Sequence, residues 1–143
     1  VIEIESATLR RLYTDWDTQR RGRLYPARAD FDPLDLKYIV GNLSLIDVHY
    51  APLRFHYRLH ATNTGKRLGY ELTGKSLEAN PNRAAHDLIH KLYVAVVEGR
   101  VPIATTYCFP TAGGESVSHE TLVLPLSRDG TTIDMLMSAV VFS

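Results

Sequence analysis

The chain has 143 residues and a single cysteine, a length that predicts one domain over 1–143 with a core large enough to need neither disulfides nor a structural metal. Sixteen Lys and Arg residues offset sixteen Asp and Glu residues, so no net field draws the molecule onto nucleic acid or an anionic membrane. No apolar stretch approaches the ~18 residues of a membrane span and no charged-then-apolar leader opens the chain; with the lone Cys108, this predicts a soluble protein of a reducing, cytoplasmic compartment.

Leu9, Leu12, Tyr13 and Trp16 recur at i, i+3, i+4, i+7 among Arg10, Arg11, Asp15 and Asp17. That spacing predicts an amphipathic helix over roughly 5–20, with Ser6 as N-cap and Gly22 as its stop. Asp32-Pro33-Leu34-Asp35 places a cap, a proline at the first helical position and an acid at the positive helix end, so a short second helix is expected, ending at Gly41-Asn42. Residues 43–49 and 53–59 read as two strands joined at Ala51-Pro52. In that hairpin Ser44, Ile46 and Val48 share a core face with Phe55, Tyr57 and Leu59, and Asp47 and His49 lie opposite with Arg54, His56 and Arg58. Leu43 and Leu45 also fall on the second face, which the N-terminal stripe is suited to cover.

Between 61 and 82, Gly65, Gly69, Gly74 and Pro81 permit only short helical turns. A long helix follows, capped by Asn82 and closed by Gly99, with Ala85, Leu88, Ile89, Leu92, Tyr93 and Val96 on its apolar face. Three strands complete the chain, over 101–109, 119–126 and 132–142, joined at Gly113-Gly114 and Asp129-Gly130. The order implies an α+β fold in which helices gather against one face of a five-stranded antiparallel sheet. The pattern alone leaves the strand order open.

The runs RGRLYPARADFDPLDL at 21–36, RFHYRLHATNTGKRLGYELTGKSL at 54–77 and ETLVLPLSRDGTTIDMLM at 120–137 together resemble a bacterial single PAS-domain family. The middle run is the most specific, a strand ending in Tyr57-Arg58-Leu59 followed by Gly69-Tyr70-Glu71-Leu72-Thr73-Gly74. His60-Ala61 stands where the family places a small residue and often a glycine. The resemblance implies the sheet order 2-1-5-4-3, a pocket enclosed over the sheet by short helices and one long helix, and a sensory or protein-interaction role rather than an enzyme. It fixes no cofactor, which stays unknown. Neither Cys nor His occurs between Ala61 and Asn82, which under the resemblance argues against a flavin–thiol photosensor of the usual kind; haem through His86 or His90 on the long helix stays open.

His86-Asp-Leu-Ile-His90 puts two imidazoles on one helix face, the geometry of a zinc pair. Asp87 stands where such an enzyme needs a glutamate base, and no third ligand is at hand, so a structural or solvent-facing role is expected and no metal site is assigned. Gly65, Gly69, Gly113 and Gly114 lack the Lys-Ser or Lys-Thr of a phosphate loop and read as turn residues. No G-x-S-x-G elbow exists, and Cys108 reads as a small buried hydrophobe at a strand end. No catalytic residue is predicted. Arg54 or Arg58 with Asp47 reads as a cross-strand ion pair, with Arg58 the alternative anchor for a carboxylate.

Under the PAS resemblance, Tyr57, Tyr70, Tyr93 and Tyr107 give a polar rim to a cavity shared with Thr62, Leu68, Leu92, Leu122, Met135 and Met137. Read from the residues alone, the same set is equally an ordinary core. The expected function is a sensory or regulatory PAS module that binds a small apolar or weakly polar ligand and signals through protein contacts. Leu9, Leu12, Tyr13 and Trp16 are the expected interface of a homodimer or of a protein partner. The alternatives are a ligand-free interaction module and a metal-dependent enzyme using His86 and His90. No kinase, cyclase or DNA-binding segment follows Ser143, and Val1 stands where a natural start has Met, so a separate partner or a longer parent chain is expected to carry the output.

Overall fold

The computed structural model describes residues 2–110 and 112–142, with the side chain of Phe109 outside the description. Ser6 accepts a hydrogen bond from the Leu9 amide at 3.2 Å and opens α1 (Ala7–Arg20). The helix closes on Arg21 in the left-handed region at φ 53°, one residue before the expected Gly22. Past a 3-10 turn at Arg28–Asp30, Asp32 caps the turn expected to open a helix, through the Leu34 amide at 2.9 Å. That turn, Pro33–Leu36, and a second at Val40–Asn42 are short 3-10 segments rather than one helix. The cap acts as expected, but too few apolar positions follow it at helical spacing to extend it.

The remaining elements are β1 (Leu43–His49), β2 (Arg54–Leu59), α2 (Thr62–Leu68), a 3-10 turn at Leu77–Ala79, α3 (Arg83–Gly99), β3 (Ile103–Pro110), β4 (Ser116–Leu126) and β5 (Met135–Phe142). The strands form one antiparallel sheet in the order β2-β1-β5-β4-β3. Asn82 caps α3 by accepting from the Ala85 amide at 3.1 Å. Gly65 has a packing reason to be glycine, because a Cβ there would lie 2.7 Å from the Tyr70 carbonyl oxygen.

Register assigns each side chain to a face, since alternate residues of a strand point opposite ways. Leu43, Leu122 and Ala139 form one row, and Leu45, Leu124 and Met137 the next. These residues are buried on the face that carries α1. Glu120, in the same alternation, accepts from the Glu5 and Ser6 amides at 2.8 Å each, and Trp16 Nε1 donates to the Pro125 carbonyl at 2.9 Å. Leu9, Leu12 and Trp16 are 0%, 0% and 4% exposed. The apolar stripe expected to meet a second subunit is therefore spent on its own sheet, and only Tyr13 keeps partial exposure.

Three further expectations are corrected. Tyr57 pairs with Ile46 but Leu59 pairs with Leu45, so a bulge at Arg58 turns Leu59 off the core face and leaves it 38% exposed. Cys108 is exposed on β3 rather than buried, because β3 is an edge strand and only one of its faces is covered. On α3, His86 is buried and Leu88 is exposed, so the packed face lies about one position away from the stripe read by apolarity alone. No described helix is long and apolar enough to cross a membrane.

Candidate functional site

On the other face of the sheet, α2 and α3 roof a cavity at the centre of the molecule. Its floor is polar where a sheet core is ordinarily aliphatic. Ser44 on β1 and Ser138 on β5 are direct cross-strand partners, both buried, and Thr121, Tyr107 and His119 continue the floor across β4 and β3. Tyr57 forms the β2 wall. The roof is His60, Thr64, Leu68 and Tyr70 from α2 and its flanks, with Ile89, Leu92 and Tyr93 from α3. No Lys, Arg, Asp or Glu is among the lining residues.

Hydrogen bonds account for much of this polarity. Tyr57 Oη and Tyr93 Oη lie 2.9 Å apart. Ser44 Oγ accepts from the Ala61 amide at 2.9 Å. The Asn80 side-chain amide donates to Tyr70 Oη at 3.3 Å. In the roof, His60 Nδ1 and Thr64 Oγ1 are buried and find no hydrogen bond. Glu71 Oε2 is the nearest acid to that nitrogen, at 3.7 Å, beyond hydrogen-bond reach.

Burial sets the charge state. It lifts the Tyr57 phenol well above its ordinary value and pushes Tyr93 up to about 12; Tyr70 and Tyr107 move the same way for the same reason. It lowers His60 and His119, an effect that Glu71 partly opposes at His60. At neutral pH the lining is uncharged. The cavity volume is about 40 Å³, room for about three waters.

This arrangement of sheet, long helix and enclosed cavity has a counterpart in sequence: a PAS domain family model matches residues 4–140. The chain belongs to the PAS domain family. PAS domains are sensory and regulatory modules. No curated protein matches the sequence. Among solved structures, the PAS domain of a protein from Colwellia psychrerythraea aligns at TM-score 0.49 and 9% identity, over 77% of this chain and 96% of that one. A sensory box sensor histidine kinase from Vibrio cholerae aligns at 0.48 and 15% identity, over 71% and 82%. A sensory box histidine kinase/response regulator from Burkholderia thailandensis aligns at 0.44 and 12%, over 77% and 82%.

Of the ligand residues expected from the sequence, this PAS domain gathers Tyr57, Leu68, Tyr70, Leu92 and Tyr107 around the cavity, together with Tyr93. Thr62 is exposed on the first turn of α2. Leu122, Met135 and Met137 are buried under α1, because strand alternation sends them to the reverse face. Arg58 is also away from the cavity, paired with Asp47 at 3.1 Å. The sequence reading missed the polar lining residues Ser44, His60, Thr64, His119, Thr121 and Ser138, and the apolar Ile89 and Val140. A signal for one of them was present, since Ser44 falls on the core face of the first hairpin between apolar neighbours.

The haem route through His86 or His90 does not fit this geometry. His86 and His90 do not line the cavity. The His86 ring is held at Nδ1 by Asp87 at 2.9 Å, Glu78 Oε1 stands 3.1 Å from Nε2 within ion-pair reach but off hydrogen-bond alignment, and His90 stacks on it at 5.9 Å. No group of three or more metal-ligating side chains occurs among the described residues. The cavity volume is also far below the 300–1,000 Å³ of drug-sized sites.

Proposed function

We propose that this PAS domain is a sensory module that admits a small molecule to the central cavity and reports it through protein contacts. The observation that carries the reading is the pair of buried polar atoms without hydrogen bonds, His60 Nδ1 and Thr64 Oγ1, in the roof of the central cavity. Leaving such groups unsatisfied costs about 1–3 kcal/mol each, which a hydrogen-bonding guest removes.

A transmission route is supported by two neighbouring residues of β4. Thr121 lines the cavity, and Glu120, pointing to the opposite face, holds the chain entering α1. A guest that displaces β4 by a fraction of an ångström alters the seat of α1 on the far side of the sheet. The outer surface of α1 then presents a changed face to a protein partner or to a second copy of the chain. Because the apolar stripe is already covered, these contacts use the polar side of the helix.

Native mass spectrometry of the purified chain tests the reading by weighing bound guests and subunits together. A retained small molecule supports it, and so does slower amide exchange in α1 on adding that molecule. A chain that carries no guest, and whose melting temperature no small molecule shifts, overturns it. That result favours the second reading, a ligand-free interaction or dimerisation module, which the small cavity of about 40 Å³ supports.

A further inference from the structure

Resting on the receptor reading above, we infer that the guest is a small uncharged molecule offering a hydrogen-bond donor and acceptor side by side, such as a primary amide or an alcohol, and that Thr64 is its principal anchor.

The first argument is the absence of any charged side chain from the lining. An ion entering this cavity loses its water and meets no counter-charge, a loss that hydroxyl contacts alone do not offset. The nearest acid, Glu71, stays outside the lining: its Oε1 takes both the amide and the hydroxyl of Thr73, and its Oε2, on a largely exposed side chain, stands 3.7 Å from His60 Nδ1. Burial also keeps the phenols and imidazoles of the lining in their neutral forms. A carboxylate therefore finds no cation and an ammonium finds no anion.

The second argument is what the unsatisfied atoms offer. A threonine hydroxyl both donates and accepts, and a neutral imidazole nitrogen does one or the other according to tautomer. The two belong to residues four apart at the start of α2 and are both buried. A guest with only donors or only acceptors satisfies this pair less well than one bearing both. The third argument is size. A space for about three waters matches a molecule of a few heavy atoms, and the aromatic walls from Tyr57, Tyr70 and Tyr93 suit a short apolar end.

Methyl and amide NMR of the intact chain, titrated separately with acetamide, acetate and methylammonium, tests the inference. Acetamide is expected to shift the Ile89 and Leu92 methyls saturably, with acetate and methylammonium at least about tenfold weaker. Thr64→Val is expected to weaken acetamide about fivefold, while Thr64→Ser, which keeps the hydroxyl, binds close to the native chain. Acetate or methylammonium binding as tightly as acetamide overturns the uncharged class and leaves the receptor reading intact. Unchanged acetamide affinity in a folded Thr64→Val chain overturns the anchor. Silence of the cavity methyls toward all three probes overturns the receptor reading itself.

Discussion

Tyr57 Oη and Tyr93 Oη meet at 2.9 Å inside the molecule, joining β2 to α3 across one end of the cavity. The pair ties the sheet edge to the roof. Removing Tyr57's hydroxyl (Tyr57→Phe) is expected to cost about 1 kcal/mol. Tyr93→Phe, which strands the Tyr57 hydroxyl in turn, is expected to cost a similar amount. In a denaturant double-mutant cycle the two changes should couple by about 0.5–1.5 kcal/mol. Additive single effects would show that the hydroxyls stabilise the fold separately.

Glu120 is the clip that seats the N-terminal helix. Its two carboxylate oxygens take the Glu5 and Ser6 amides, while Arg10 holds the Ile4 and Glu5 carbonyls from the other side. Bonds to a charged group contribute about 1.5–3 kcal/mol, so Glu120→Ala should destabilise the domain by an amount of that order. Hydrogen exchange should quicken at residues 5–12 well before it does in α3. Leu12→Ala, at a fully buried position of the same helix, is expected to cost about 2–5 kcal/mol. A surface-like loss below ~0.5 kcal/mol would place the stripe away from the sheet.

Thr64→Val makes an opposite kind of statement. The hydroxyl is buried without a hydrogen bond, and valine fills nearly the same volume without a polar atom to satisfy. In guest-free protein the substitution is expected to raise stability by about 0.5–2 kcal/mol, read as a higher melting temperature. A fall in melting temperature would mean that the hydroxyl is satisfied in solution.

Two histidines tilt the pH dependence in opposite directions. The hydrogen bond that His86 Nδ1 donates to Asp87, aided by Glu78, holds His86 above its ordinary value. Its stabilisation is fully present below about pH 6.5 and is lost as pH rises through the folded-state value. Burial lowers His60, so the folded state resists its proton and stability is lost as pH falls from about 6.5. The melting-temperature gap between native protein and His86→Gln should therefore shrink from pH 6 to pH 8. The gap for His60→Gln should shrink on going from pH 7.5 to pH 5.5. Parallel curves for native protein and either variant would show that the histidine in question does not titrate differently on folding.

Much of the fold is written in local chemistry. Ser6, Asp32 and Asn82 cap where short polar residues precede helical spacing, and five strands follow from apolar runs bounded by turn residues. The four cavity tyrosines were also legible, through the PAS resemblance, as a polar rim. Strand order came from the same resemblance, since periodicity records which residues share a face but not which strand lies beside which.

What tertiary structure alone decided is the side on which each apolar residue is spent. Leu122, Met135 and Met137 look like cavity residues in a linear reading, yet register turns them under α1, and α1 then consumes Leu9, Leu12 and Trp16 that would otherwise mark an interface. A bulge at Arg58 moved Leu59, and an edge position exposed Cys108. The hydroxyl and imidazole lining, by contrast, is drawn from β1, β4, β5 and α2, elements far apart in the chain. Serine and threonine carry no periodic signal of their own, so only the folded arrangement shows that they converge on one cavity.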